Sequence, residues 1–324
     1  MKYKKVVVAG GGVLGSQIAF QSAYCGFDVT IWLRSEDSKT RTQPKLDTLK
    51  KTYEEALKLM ASDEGKIDSN WCRGLADRDD FDVDKCLEKV EVAYNSIKLE
   101  VDMAKAVEDA DLVIESMAEN EKDKIEFYKK LAPVLPEKTV VVTNSSTLLP
   151  SMFAKYTGRG EMYLSLHFAN NIWKQNTAEV MAHDGTDKKY FDEIIEFANE
   201  IRMVALPVNK EKNGYLLNSM LVPFLLSAFD LMANGVSDPE SIDKAWTLGT
   251  GAPKGPFSIM DIVGLTTVKN IVEQYQKVPG LFSPLLKKML LPYNFKGMLA
   301  ILNEYIDAGK LGKSTKEGFY KYDE

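Results

Sequence analysis

From its amino end, the chain's apolar and polar positions follow the rhythm of a strand, a turn and a helix. Lys5–Ala9 is a short β-branched run. Gly10–Gly15 breaks it, Ser16–Tyr24 is small-to-apolar and closes near Gly26, and Val29–Leu33 is a second apolar run. Short apolar runs bounded by glycines read as strands, and two strands joined through a helix must run parallel inside a buried sheet. The lysine- and glutamate-rich stretch that follows carries Leu46, Leu49, Tyr53, Leu57 and Met60 at helical spacing, predicting a helix over Lys45–Met60. Trp71–Asp84 is irregular and acidic, and reads as a loop or insertion. Alternation resumes after Val90. Helices are expected at Met103–Asp109, Asp123–Leu131 and Ile194–Ile201. Strands are expected at Leu112–Ile114, Thr139–Thr143, Leu164–Phe168, Glu179–Ala182 and Met203–Leu206.

Beyond the polar connector Pro207–Asn213 only helical periods remain: Tyr215–Asn234, a start at Asp238-Pro239-Glu240, then Asp261–Val278 and Lys296–Ala308. The α/β alternation predicts a doubly wound, mainly parallel sheet of Rossmann type, which binds ligands at the carboxyl ends of its strands. A second, all-helical carboxyl-terminal domain follows. Its apolar helices suggest a homodimer. A length of 324 residues suits two domains, 1–206 and 207–324.

Composition narrows the function. The net charge is −6, so no overall basic field attracts nucleic-acid phosphates. The clusters Lys39–Arg41 and Lys50–Lys51 belong to a surface rich in both signs of charge. Cys25, Cys72 and Cys86 lack Cys-x-x-Cys spacing and His167 and His183 are the only histidines, which argues against disulfide frameworks and metal centres. No secretory signal and no apolar run of about 20 residues is visible, so no membrane span and a reducing, cytoplasmic setting are expected.

Gly10-Gly11-Gly12-Val13-Leu14-Gly15 fits Gly-x-Gly-x-x-Gly after a strand and before a helix. In that setting the first glycine permits the tight turn, the second lets backbone approach a pyrophosphate, and the third lets helix pack on strand. The helix N-terminus offers N–H groups to the phosphates. Residues 1–206 are therefore expected to bind a dinucleotide, NAD or NADP. A carboxylate at the end of the second strand would read the ribose of NAD, but Leu33 stands there, followed by Arg34 and Ser35. Arg34 and Ser35, with Lys39 or Arg41, suit a 2′-phosphate, so the sequence leans towards NADP. Alternatively, Arg34 stacks on adenine and Glu36 or Asp37 reaches the ribose.

Removing a proton from a secondary alcohol near neutral pH calls for a group that titrates there. His167, on a predicted strand, is the candidate. Glu179 lies twelve residues later and can hold its second nitrogen if the two strands are neighbours. His183 precedes the turn Asp184-Gly185 and reads as a loop residue. A hydroxyl- and amide-rich loop, Asn144-Ser145-Ser146-Thr147, follows another predicted strand.

With these residues in place, the chain resembles the L-3-hydroxyacyl-CoA dehydrogenase family almost end to end. Ile114–Asn120 followed by Lys124 is similar to that family's acidic motif and lysine. Asn144-Ser145-Ser146 resembles its Asn-Thr-Ser turn, and His167-Phe168-Ala169-Asn170 its His-Phe-Phe-Asn-Pro. Asn213–Asn218 resembles its Gly-Phe-x-x-Asn-Arg, and Gly318–Tyr322 its closing Gly-Phe-Tyr-x-Tyr. The resemblance implies an oxidoreductase interconverting (S)-3-hydroxyacyl-CoA and 3-ketoacyl-CoA, short-chain substrates included. By the same resemblance, His167 is the acid/base and Glu179 orients it, while Ser146 and Asn218 bond substrate oxygens. Glu119 and Lys124 would lie near the nicotinamide half of the cofactor, with Asn144 on the same side. Lys50, Lys51 and Lys58 of the helical arm would either meet coenzyme A phosphates or form a solvated face. Asn171 stands at the family's proline, Ser219 at its arginine, Leu33 at its acid and Lys316 at a glycine. Two rivals stay open: a dehydrogenase of a free 3-hydroxy acid or sugar acid, and a non-catalytic dinucleotide-binding protein.

Overall fold

The structure is a computed structural model that describes residues 2–276 and 293–322. Contacts divide it into two units, Met1–Leu216 and Leu217–Glu324.

The strands of the first unit are β1 (Lys5–Ala9), β2 (Asp28–Trp32), β3 (Lys98–Glu100), β4 (Leu112–Glu115), β5 (Val140–Thr143), β6 (Tyr163–Phe168), β7 (Thr177–Met181) and β8 (Val204–Val208); all but β3 form on the apolar runs expected from the sequence. They form one sheet in the order β3-β2-β1-β4-β5-β6-β7-β8. Every neighbouring pair is parallel except β6 and β7. The chain runs outward from β1 through β2 to β3, then returns to place β4 on the other side of β1. This reversal opens a crevice at the carboxyl ends of β1 and β4. The central strands β4, β5 and β6 are buried at every position, as a sheet covered on both faces requires.

Helix α1 (Val13–Tyr24) opens directly after the glycine turn and is buried over Gly15–Tyr24. The long α2 (Glu36–Ala61) starts nine residues before the expected Lys45, because Pro44 lies inside the helix and does not end it. It buries the predicted stripe Leu46, Leu49, Tyr53, Leu57 and Met60. Trp71–Asp84 is irregular only as far as Asp82, which caps α3 (Val83–Ser96) by accepting from the Lys85 N–H. Nor is the stretch peripheral, since Trp71, Cys72, Leu75 and Ala76 are buried in the main core. The Gly74 N–H donates to the Trp173 carbonyl at 3.0 Å, bracing the turn that follows β6. Short α4 (Met103–Val107), α5 (Glu121–Leu131) and α6 (Lys188–Glu200) complete the unit.

The second unit is helical over its described residues: α7 (Leu217–Ala233), α8 (Pro239–Thr250), α9 (Pro256–Val263), α10 (Leu265–Gln276) and α11 (Phe295–Asp307). The single helix expected over Asp261–Val278 is two, broken at Gly264 with φ 92°, and its last two residues lie outside the described ones. Val222, Phe229, Phe257, Met260, Val272 and Met298 form its core. Buried Asp261 accepts from the Phe319 and Tyr320 N–H groups and the Tyr322 hydroxyl, each at 2.9 Å, and so fastens the closing aromatic motif. Lys316, where a glycine was the resemblance's residue, adopts φ 60°, the left-handed region that glycine favours.

Candidate active site

The carboxyl ends of β1, β4, β5 and β6 carry the residues singled out by sequence. At β1 the turn folds tightly on itself. A Cβ on Gly15 would lie 2.1 Å from the Gly10 carbonyl, so no larger residue fits there. A Cβ on Gly12 would meet nothing within 4 Å, leaving open space beside the first turn of α1. That turn has no side-chain cap and no acidic residue. Uncapped N–H groups facing open space are what a pyrophosphate fits. The groove continues past Trp32, Leu33, Arg34, Ser38, Arg41 and Lys45. Ser35 stands at the N-terminal boundary of α2 without a side-chain cap bond, and its hydroxyl lies 3.1 Å from that of Ser38.

The antiparallel pairing of β6 with β7 sets His167 directly opposite Glu179. Cross-strand partners share a face of the sheet, and the two side chains meet there with Nδ1 2.8 Å from Oε2. His167 is 6% and Glu179 3% exposed. A carboxylate only accepts, so Nδ1 carries the proton and Nε2 presents its lone pair. Nε2 lies 3.2 Å from the Ser146 hydroxyl, on the loop after β5. The second carboxylate oxygen of Glu179 accepts from the Leu216 N–H at 2.9 Å. Ser146, His167 and Glu179 therefore form one chain of contacts. Asn218 stands in the first turn of α7, in the second unit. His183 braces a loop, with Nε2 3.0 Å from the Gly160 carbonyl.

Asn144 accepts from the Phe168 N–H at 3.0 Å through Oδ1, and its Nδ2 donates to the Ser116 hydroxyl at 3.2 Å. It thereby ties the ends of β4 and β6 together. Glu119 gathers the Ser146 loop, because Oε1 accepts from the Ser145 hydroxyl at 2.5 Å and from the Thr147 N–H and hydroxyl at 2.8 Å. Burial pushes its carboxyl up, but the bonds from Ser145 and Thr147 and the Lys124 charge outweigh that and hold it below its ordinary value. A depressed carboxyl stabilises the fold above the unfolded-state pKa, and that contribution fades as pH falls through the folded one. Glu119→Gln is therefore expected to be less stable than wild type at neutral pH, with the gap closing in acid below about pH 4.3. Urea midpoints taken across pH check this, and a gap that widens in acid contradicts it.

Two participants were missed in the sequence. Glu115, the last residue of β4, is fully buried and receives the Lys124 ammonium at 2.7 Å on both oxygens. It also accepts from the Met117 N–H, the Tyr128 hydroxyl and the Thr143 hydroxyl. Lys124 is thus occupied beneath the loop, 3.7 Å from Glu119. Tyr215, 1% exposed, stacks on the His167 ring with centroids 4.6 Å apart and planes 20° apart. An acidic residue closing a strand was the available signal for Glu115. For Tyr215 there was only its place in the motif.

At the family's proline, Asn171 has φ 59° and donates its N–H to Gln17 Oε1 at 2.8 Å. Proline has neither that φ nor that donor, so the turn after the histidine strand takes another path here. On the helical arm, Lys50 is held by Glu54 and Glu91, while Lys51 and Lys58 are exposed. Among the described residues no helix is long and apolar enough to cross a membrane, and no cluster of His, Cys, Asp or Glu is placed to hold a metal.

A dinucleotide cradle at the sheet's reversal, sharing its edge with an imidazole–carboxylate pair, defines a nicotinamide-dependent dehydrogenase. Comparison with known proteins agrees. Residues 5–212 match the family described as "3-hydroxyacyl-CoA dehydrogenase, NAD binding domain", and residues 214–322 match "3-hydroxyacyl-CoA dehydrogenase, C-terminal domain". The chain belongs to the 3-hydroxyacyl-CoA dehydrogenase family. Human mitochondrial hydroxyacyl-coenzyme A dehydrogenase is 32% identical across 98% of this chain and 91% of its own length. The 3-hydroxybutyryl-CoA dehydrogenase of Clostridioides difficile is 29% identical across 98% and 99%. A solved diketoreductase, described as catalysing dicarbonyl compounds, is 43% identical with a TM-score of 0.81, covering 99% of this chain and all of the other. The matching domain is described as NAD-binding, which gives no support to the lean towards NADP.

Proposed function

We propose that this oxidoreductase interconverts a 3-hydroxyacyl group and its 3-oxo form, with a short-chain acyl-CoA thioester as the first substrate reading. The observation that carries it is the contact chain Ser146–His167–Glu179 beside the glycine cradle. A nicotinamide bound in that cradle supplies hydride exchange with the substrate's C3. His167 Nε2 takes the proton of the 3-hydroxyl in oxidation and returns it in reduction. Glu179 holds the tautomer and balances the imidazolium charge. Ser146, and Asn218 by its match to the family motif, hydrogen-bond the reacting oxygen. Glycines 10, 12 and 15, with Val13 and Leu14 opening α1, hold the pyrophosphate. Asn144, Glu119 and Lys124 act on the nicotinamide side by fixing the loops around it. Residues 1–206 form the dinucleotide-binding part, and the helical domain over 207–324 serves substrate binding.

The likeness to a diketoreductase favours a second reading, in which the substrate is a free β-dicarbonyl compound or its hydroxy form. The Lys50 pairing supports it, because that lysine is already neutralised by Glu54 and Glu91. NAD(H) is the proposed cofactor. Arg34, Arg41 and Lys45 line the groove and leave NADP(H) accepted as the weaker one. Exposed Met220, Val236 and Leu248 on the helical unit support a homodimer, which light scattering tests. Three free thiols support a reducing, cytoplasmic setting.

Initial rates of reduction of acetoacetyl-CoA, acetoacetate and acetylacetone, each with NADH and NADPH, test the reading. Thioester turnover fastest with NADH is expected. Faster turnover of the free dicarbonyls moves the assignment to the second reading, and no turnover of any defeats both.

A further inference from the structure

Residues 215 and 216 touch the dyad at two points and the loop leading into Ser146 at a third. The Tyr215 ring lies nearly parallel on the His167 imidazole. Its hydroxyl donates to the Ser145 carbonyl at 2.8 Å, in the peptide that leads into Ser146. The next residue's N–H holds the Glu179 oxygen that His167 does not use. This conjunction requires Tyr215 to adopt φ 50°, a left-handed conformation that a bulky residue rarely takes. Such a conformation persists only where its surroundings over-determine it.

Resting on the dehydrogenase reading above, we propose that Tyr215 is a positioning residue that locks the His167 ring plane and, through its hydroxyl, the distance from that ring to Ser146. The two functions reside in different parts of the side chain. The ring covers one face of the imidazole, excludes water from it and fixes the plane in which Nε2 meets the substrate proton. The hydroxyl tethers the loop after β5, so the Ser146 oxygen and Nε2 keep the spacing at which they share one substrate oxygen. The loop is already bonded to Glu119 on the β4 side. Tyr215 adds an anchor at the Ser145 carbonyl, next to Ser146, while the Asn213 amide holds the Thr147 carbonyl at 2.7 Å on the far side of that residue.

The variants Tyr215→Phe and Tyr215→Leu separate the two functions. Phe keeps the ring and loses the tether, so kcat is expected to fall about fivefold. Leu loses both, and kcat is expected to fall about thirtyfold. The KM for NADH stays at the wild-type value in each, because the glycine cradle is untouched. A structural role alone would lower kcat and cofactor affinity together. With only two histidines in the chain, His183→Gln leaves a single imidazole for proton NMR. In that background the His167 ring protons are expected upfield, shifted by the stacked ring. Tyr215→Leu should move them downfield, while Tyr215→Phe keeps them in place. Wild-type kcat in the leucine variant, or ring protons unmoved by it, overturns the proposal. If the wild-type enzyme turns over no hydroxyacyl or dicarbonyl compound, the functional reading fails instead, while the NMR shift still decides whether the ring is stacked.

Discussion

His167→Gln is expected to lower kcat for hydroxyacyl oxidation by about 10²- to 10⁴-fold, the usual worth of a positioned general acid/base. The amide fills a similar space and can still bond Glu179, but it cannot accept and carry a proton. Its damage should therefore be confined to the chemical step. The glycine turn and the residues along β2 that form the cofactor groove are separate from the imidazole, so the NADH dissociation constant should be unchanged. Fluorescence titration of NADH alongside initial rates makes the comparison. A variant with kcat within about tenfold of wild type would remove the proposed base. A variant that loses NADH binding as well would show that His167 acts through the fold. Substitution of Glu179 gives no equally clean result, because its other oxygen also holds the Leu216 N–H and its loss disturbs the backbone there.

This test could be framed from sequence because the dyad depends on a regular element. Strand alternation fixes which residues share a face, and the polar turn between His167 and Glu179 suits a return strand, so their meeting followed once β6 and β7 paired. The glycine turn was legible for a similar reason, since each of its positions answers a short-range steric demand. What escaped depends on contacts distant in the chain or on backbone conformation. Strand β3 is only three residues long, two of them charged, and its place at the sheet edge comes from pairing with β2. Helix α2 was cut short at Pro44, although the helix accommodates a proline there. The stretch around Trp71 looked peripheral because its acids dominate, yet its few apolar residues enter the core beneath the turn after β6. Tyr215 carries no composition signal. Its relevance comes from a left-handed φ and a ring seated on a histidine 48 positions earlier in the chain, and no local pattern encodes either.

The buried pair under the catalytic loop leads to the largest expected effect on stability. Lys124→Met is expected to destabilise the protein by about 3–5 kcal/mol, because it strips the counter-charge from a carboxylate with no access to water. Glu115 keeps donors from Met117, Tyr128 and Thr143, but three neutral donors do not replace an ammonium bonded to both oxygens. Burial and then the Glu115 charge hold the Tyr128 phenol well above its ordinary pKa, so it stays a neutral donor and cannot balance the carboxylate. If the stranded charge is the cause, removing it should restore stability. The double variant Glu115→Gln with Lys124→Met keeps an acceptor oxygen for the neighbouring hydroxyls and carries no charge, so it should recover much of the loss. Urea unfolding with an unchanged slope measures both. A double variant less stable than the single one would mean that the hydrogen bonds to Glu115, and not its charge, carry the penalty. Because Lys124 also lies 3.7 Å from Glu119, the single variant should loosen the Ser146 loop, and kcat should fall with stability while the dyad itself is untouched. Recovery of stability in the double variant without recovery of kcat would then separate the two duties of the lysine, one towards the buried Glu115 and one towards the loop carried by Glu119.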